Sequence, residues 1–412
     1  MTQPPASVVI VSRGRAEALK RCLIGVSQLQ YDPFEVVVVA DAAGIAAMQD
    51  VPCAGHVKQV PFDEANISAA RNLGVTHAAG EIIVFIDDDA VPEPQWLLHL
   101  LAPFDHPEVA ATGGFVRGRN GISFQWKARG VGPLGDAYDL DLNAEQATIL
   151  HPAQGQAIKT EGTNMAFRRD VLVDLGGFDP AFHYFLDETD LNMRLAQAGH
   201  ATALVPLAEV HHGFAENALR RADRVPRDLF DIGASWAVFQ RKHVPSALQE
   251  DQWKRLKADE RKRLLRHMVR GSLEPQDVGR LMRRLNEGYA EGSVRAIGGA
   301  TLPRHPAAGF QQFPALGRPS IVIPSRPIRF AKDYQNAVDM VKKGDIVTVM
   351  SLSPSAMFHK VLFTKDGVWL QKGGLFGRSD RNAPLFRLTS RSRRLEKERS
   401  RVARQRGLRE DC

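Results

Sequence analysis

Three consecutive carboxylates, Asp87-Asp88-Asp89, close the apolar run Ile82 to Ile86. Adjacent acids at the end of a buried strand raise one another's pKa, so the arrangement is costly unless a cation or hydrogen-bond donors neutralise it. Hard divalent ions take oxygen ligands and can bridge phosphate oxygens, which makes a Mg²⁺ or Mn²⁺ site the sharper reading and a solvated acidic turn the plainer one. A second acidic group, Asp187, Glu188 and Asp190, follows the aromatic stretch Phe182 to Phe185 and opens a helical pattern. Acids suit a helix N-terminus. Three in four residues exceed what capping needs, and aromatic side chains beside a carboxylate suit stacking on a sugar, so one of the three is a candidate general base toward a hydroxyl. His211-His212, at the end of an apolar run, offers an imidazole to a metal or a structural histidine pair. Asp41, after the second apolar run, reads as an acceptor for a nucleobase or ribose, or as a helix cap. Arg71 precedes the acidic strand on a helical pattern and could meet a base or pyrophosphate, or solvent.

Positioning these groups together requires a sheet whose carboxyl edge gathers them. The first half alternates short apolar runs with amphipathic stretches, the pattern of βα units around a mostly parallel sheet. Strands are expected at 7–11, 35–41 and 81–89, and helices at 16–29, 66–79 and 95–104. Asp41 and Asp87-Asp88-Asp89 then share the edge at which open α/β sheets bind ligands. The Gly-, Pro- and Asp-rich stretch 113–159 reads as loops and short strands beside a cleft. Helical spacing returns at 169–175 and 187–198, and a strand at 202–210 leads into the two histidines. Beyond Pro226 come helices at 227–243 and 250–271, the second strongly basic, then a Gly- and Pro-punctuated linker at 298–319. The second helix could lie on an anionic membrane or pack its Trp253, Leu264 and Leu265 against the catalytic body. Strands at 320–324, 345–352 and 359–371 suggest a small β-rich module. The expected organisation is a catalytic domain at 1–245, a helical basic segment at 246–300, the β-rich module at 301–386 and a basic tail at 387–412.

Read in order, SVVIVSRGR (7–15), EVVVVAD (35–41), ISAARNLGVTHAAGEIIVFIDDDAVP (67–92), EGTNMAFRRDVLVDLGGFDPAFHYFLDETDLNMRLAQAG (161–199) and VHHGFA (210–215) resemble the inverting family 2 glycosyltransferases of the GT-A fold. The resemblance spans roughly residues 7 to 243. It implies a nucleotide-sugar-binding α/β domain with a mostly parallel central sheet flanked by helices. It also implies that Ser12, Asp41 and Arg71 contact the nucleotide and that Asp87 and Asp88 hold the donor on its ribose side. Asp89 and His212 would bind the metal, while Gly162, Thr163 and Asn164 would form an acceptor loop. Glu188 stands at the position of the family's base; the order Asp187-Glu188 is reversed from the usual one, so Asp187 and Asp190 remain alternatives. The implied reaction moves a sugar from a nucleoside diphosphate, of UDP type, to a glycan or lipid-linked acceptor with Mn²⁺ or Mg²⁺, in surface polysaccharide or lipid-linked glycan synthesis. The competing readings are a sugar nucleotidyltransferase and a noncatalytic glycan- or anion-binding protein.

The 412-residue chain is 44% hydrophobic and 25% charged, enough for two or three domains with a large core, which excludes disordered and disulfide-scaffold classes. Cys22, Cys53 and Cys412 form no CxxC spacing and fit a reducing compartment. No stretch approaches the ~18 apolar residues that span a bilayer, so a cytoplasmic protein is expected, with peripheral contact at the inner membrane face through basic segments left open. The net charge of +7 is concentrated: residues 387–412 hold 10 basic and 4 acidic side chains, leaving a net +1 for 1–386. The tail is therefore expected to be a solvated or partly helical extension whose removal changes salt-sensitive attachment and spares donor chemistry; nucleic acid is not the expected partner.

Overall fold

The computed structural model describes residues 3–213, 215–315 and 317–408. Phe214 and the last four residues of the expected basic tail lie outside the described residues. The chain runs β1 (Ala6–Ser12), α1 (Ala16–Val26), β2 (Phe34–Ala40), α2 (Ala42–Met48), β3 (Val57–Pro61), α3 (Ile67–His77), β4 (Ile82–Asp87), β5 (Ala90–Pro92), α4 (Trp96–Leu101) and β6 (Val109–Arg117). Short strands follow: β7 (Phe124–Trp126), β8 (Arg129–Val131), β9 (Ala137–Asp139), β10 (Thr148–Leu150), β11 (Ala157–Lys159) and β12 (Met165–Arg168). Next come α5 (Arg169–Asp174), α6 (Asp187–Gln197), β13 (Ala201–His212), α7 (Phe230–His243), α8 (Ser246–Val269) and α9 (Pro275–Gly292). The last part holds β14 (Ser320–Ser325), α10 (Phe330–Lys342), β15 (Ile346–Ser353), β16 (Lys360–Phe363), β17 (Trp369–Gly374) and α11 (Arg391–Arg406).

The central sheet has the order β10-β13-β6-β12-β4-β1-β2-β3. β1, β2, β3 and β4 run parallel, β12 runs antiparallel between β4 and β6, and β13 is parallel to β6. Its valine-rich strands are apolar without alternation because both faces are covered. Val8, Ile10, Val36 and Val38 pack toward α1 and α4, while Val9, Val37, Val39 and Phe85 pack toward α3 and α6. Asn66 caps α3, accepting from the Ala69 amide at 3.0 Å. β8, β9 and β11 form a small antiparallel sheet at the side of the cleft.

The stretch from Gly113 expected to hold loops and short strands does hold β7 to β11, but it also includes the second half of β6, a fully buried central strand. Glycine hides that strand from a hydrophobic pattern because backbone must come close there: a Cβ on Gly114 would lie 2.1 Å from the Ala208 carbonyl oxygen. The module has the expected β-rich sheet, β14-β15-β17-β16, with α10 packed on it, and α9 lies within the segment expected to be helical. The basic tail, expected to be a solvated or partly helical extension, is helical but packed: Arg394, Glu398, Val402 and Arg406 of α11 are buried against the module and the catalytic domain. The 298–319 linker also packs, with Leu302 and Phe313 buried and the Phe313 ring 5.1 Å from that of Phe34. As for α8, its apolar side faces the protein: Trp253 stacks on Tyr289 of α9, centroids 3.9 Å apart, and Leu264 is buried in the same cluster.

Candidate active site

β4 ends at Asp87, and the chain turns through Asp88 and Asp89 into β5, so the three carboxylates point to different partners. Asp88 is fully buried beneath the edge, where the Ser12 hydroxyl donates to it at 2.7 Å and Arg15 pairs with it at 2.6 Å. Asp89 accepts from the Ala215 amide at 2.7 Å, and its second oxygen faces His212 Nε2 at 3.1 Å. Oxygens of Asp87 and Asp89 and a ring nitrogen of His212 all lie within 4.8 Å of one another. His212 Nδ1 stands 3.1 Å from the Gln125 amide oxygen, which orients the ring with Nε2 toward Asp89. Two hard oxygens and one oriented imidazole suit Mn²⁺ or Mg²⁺, so the residues present fit a divalent ion.

A second group of acids and imidazole, Glu93, Glu209 and His211, has a different character. Arg406 forks onto Glu93 at 2.8 and 3.0 Å, Arg117 pairs with Glu209, and His211 Nε2 lies 2.8 Å from Glu93. Guanidinium groups already balance both carboxylates, so this cluster is structural. Of the two neighbouring histidines, His212 alone joins Asp89.

The second acidic motif is presented by a turn in which Phe185 and Leu186 both have positive φ, at 73° and 66°. Such conformations are rare for large side chains and mark functional sites when the surroundings hold them. The turn aims the first turn of α6 at the sheet edge. Asp190 is fully buried, bound by Lys242 at 2.7 Å, His243 at 2.8 Å and Arg194 at 2.8 Å. Asp187 is buried against Arg71. Glu188 keeps 16% of its side chain exposed, against 3% for Asp187 and none for Asp190, and it accepts from Lys159 Nζ at 2.9 Å. Lys159 also donates to Thr189 Oγ1 at 2.8 Å. Burial would raise the Glu188 pKa, but the Lys159 ammonium, with Arg71 behind it, holds it well below the usual carboxylate range. Asp187 moves the other way, raised by burial against the pull of Arg71.

Arg71 joins the two acidic motifs. Its guanidinium meets Asp187, lies 3.4 Å from Asp87 and donates to the Gly162 carbonyl at 3.2 Å. It is 3% exposed and forms an internal bridge between the two motifs. In the expected acceptor loop, Asn164 is fully buried, donating to the Phe115 and Ala208 carbonyls at 3.0 and 2.8 Å and accepting from Trp96 Nε1 at 2.8 Å. Thr163 is also buried, and Gly162 admits Arg71: a Cβ there would lie 2.6 Å from its Nη2. Asp41 takes the capping role, accepting from Gly44 N at 2.8 Å and from Gly14 N at 2.7 Å. Ser12 reaches the site through Asp88. A cavity of about 210 Å³ opens beside these groups, lined by Val11, Ser12, Val39, Ile67, Tyr184 and Asn217. Arg15, Gln125 and Lys159 were missed by sequence reading.

This sheet edge gathers an acidic and imidazole cluster that could hold an ion and, on an adjacent helix, a partly exposed carboxylate. A family model described as "Glycosyltransferase like family 2" matches residues 4–227, and the chain belongs to that family. Among curated relatives, the O-antigen biosynthesis protein RfbC of Myxococcus xanthus is 26% identical over 249 residues, covering 58% of this chain and 19% of the relative. The pre-mycofactocin glycosyltransferase of Mycobacterium tuberculosis is 27% identical over 237 residues, covering 56% and 46%. The glucosyl-dolichyl phosphate glucuronosyltransferase of Haloferax volcanii is 26% identical over 180 residues, covering 42% and 55%. The chain thus spans between 19% and 55% of the length of these three relatives. A solved mannosyltransferase, PcManGT from Pyrobaculum calidifontis in complex with GDP-Man and Mn²⁺, is similar at a TM-score of 0.42 and 16% identity, covering 71% of this chain and 88% of that one.

Proposed function

We propose that the protein is a metal-dependent inverting glycosyltransferase that moves a sugar from a nucleoside-diphosphate donor, of UDP type, to a hydroxyl of a glycan or lipid-linked acceptor. The observation that carries this reading is the single guanidinium of Arg71 tying Asp87 to Asp187, beside the one acid of the second motif that opens to solvent, Glu188. A donor-side cluster and an acceptor-side base are thereby held in one frame. Asp87, Asp89 and His212 would hold the ion, which when bound stabilises the charge that collects on a leaving diphosphate. Arg15 and Ser12 hold Asp88 so that the turn carrying Asp87 and Asp89 keeps its shape. Glu188 takes the proton from the acceptor hydroxyl as that oxygen attacks the anomeric carbon. The new C–O bond forms on one face while the bond to the diphosphate breaks on the other, and the electron pair departs with the diphosphate. One displacement inverts the centre. Asp187 and Asp190 orient the helix and its cations.

The names of the Myxococcus and Haloferax relatives support a role in surface polysaccharide or lipid-linked glycan synthesis. A thermal-shift screen of nucleoside diphosphates and their sugars, with and without Mn²⁺, tests the donor side, since a ligand that binds only the folded state raises its midpoint. A nucleotide sugar should raise the midpoint by several degrees only when the ion is present. A flat response to every nucleotide would contradict the reading.

A further inference from the structure

The C-terminal module carries a surface that the transfer reaction does not use. β14, β15 and β17 run parallel, so the segments that follow Ser325, Ser353 and Gly374 leave the same edge of the small sheet. Those segments hold Ile328, Met357, Phe358, Leu385, Phe386 and Leu388, each more than half exposed. Backbone bonds tie the second and third of these segments together: Gly374 N donates to the Met357 carbonyl, His359 N to that of Arg378 and Arg387 N to that of Phe376. Scattered apolar residues on a surface are ordinary, but five large ones on two bonded segments, with Ile328 on a third loop of the same sheet edge, mark a surface for an apolar partner.

Charge selects the partner. The stretches 326–329, 354–360 and 375–388 contain Arg326, Arg329, Lys360, Arg378, Arg381 and Arg387 against one acid, Asp380. The Arg378 guanidinium lies over the Phe358 ring at 4.4 Å, with the cation and the apolar ring in one place. We propose that this edge docks on an anionic lipid bilayer, with the apolar side chains entering the headgroup boundary and the guanidinium groups binding lipid phosphates. Apolar area and basic charge add in such binding, at about 1 kcal/mol per Lys or Arg near an anionic surface. The basic helix α8 is not the docking element, since its apolar side is covered by α9. The edge is also tied to the catalytic body: Val361 N donates to the Asn120 carbonyl at 2.9 Å, in the loop that leads to Gln125 and so to His212. Docking there would set the cleft at a fixed orientation to the bilayer.

Vesicle flotation tests the proposal without donor or acceptor and so does not depend on the glycosyl-transfer reading. The full chain should float with phosphatidylethanolamine–phosphatidylglycerol vesicles at low salt, bind phosphatidylcholine vesicles about tenfold more weakly, and detach as salt rises. The exposed triples Phe358→Ser/Phe386→Ser/Leu388→Ser and Arg378→Gln/Arg381→Gln/Arg387→Gln should each weaken binding by about tenfold or more with the unfolding midpoint unchanged. Absence of flotation at low salt, or equal flotation of both folded triples, would overturn it. So would light scattering in which the apolar triple turns a dimer into a monomer, because a second copy would then be what covers the patch.

Discussion

Glu188 owes its state to Lys159. Removing that ammonium removes the main force holding the carboxyl low, so the pKa rises, and the ionised base is lost at a higher pH as the solution is acidified. Lys159→Met should therefore move the acid limb of the kcat profile upward by about 1–2 pH units, and Lys159→Arg should restore it. A fall in kcat at every pH with the limb in place would make Lys159 a packing residue only. Asp87 and Asp89 stood out in the sequence because acids at the end of a buried strand have few inexpensive states, whereas His212 was set apart from His211 only by the family resemblance. It could not expose Lys159, Arg15 or Gln125, whose partners lie 29 to 87 residues away and whose types read by default as solvated. What the sequence did not show for Arg71 and Asn164 is their internal bonding: Arg71 bridges Asp87 and Asp187, and Asn164 ties the β6 and β13 backbones together.

At the scale of elements, α11 acts from behind on β13, the strand that carries His211 and His212. Arg406, buried at 1% exposure, forks onto Glu93, which holds His211, the neighbour of His212 on β13. Trp369 of β17 packs on His211 with centroids 5.0 Å apart, and Arg406 lies 4.3 Å over Trp369. Breaking one partner of a buried pair leaves the other charge uncompensated, so Arg406→Met should cost about 3–5 kcal/mol in denaturant unfolding. A change below about 1 kcal/mol would show that water reaches Glu93 and replaces the guanidinium. The strands and helices of the first hundred residues were legible because two-sided burial writes unbroken valine runs between amphipathic helices. β6 was not, since Gly114 makes room for the Ala208 carbonyl and the Asn164 side chain, Gly113 for Thr160 and Leu204, and neither leaves an apolar signal, and α10 was hidden inside a stretch read for its strands.

For the molecule as a whole, the concentration of charge at the C-terminus means something other than a free polycation. Part of it is spent inside: Arg406 on Glu93, Arg394 and Arg401 on Glu398, at distances of 2.8 to 3.2 Å. Deleting residues 387–412 should therefore lower the thermal midpoint by roughly 5–10 °C, where the sequence alone suggested loss of salt-sensitive attachment only. A truncated chain with an unchanged midpoint would restore the picture of an independent tail. Among the described residues no helix is long and apolar enough to cross a membrane.

The central claim is that Glu188 deprotonates the acceptor while the nucleotide sugar is held elsewhere on the edge. Glu188→Gln keeps shape and removes the base, so the most direct measurement pairs single-turnover sugar transfer with calorimetric binding of the donor in Mn²⁺. The account predicts a fall in transfer of about 10²–10⁴-fold with donor affinity within about threefold of the parent. Transfer within about tenfold of the parent would contradict it and pass the role of base to Asp187 or Asp190.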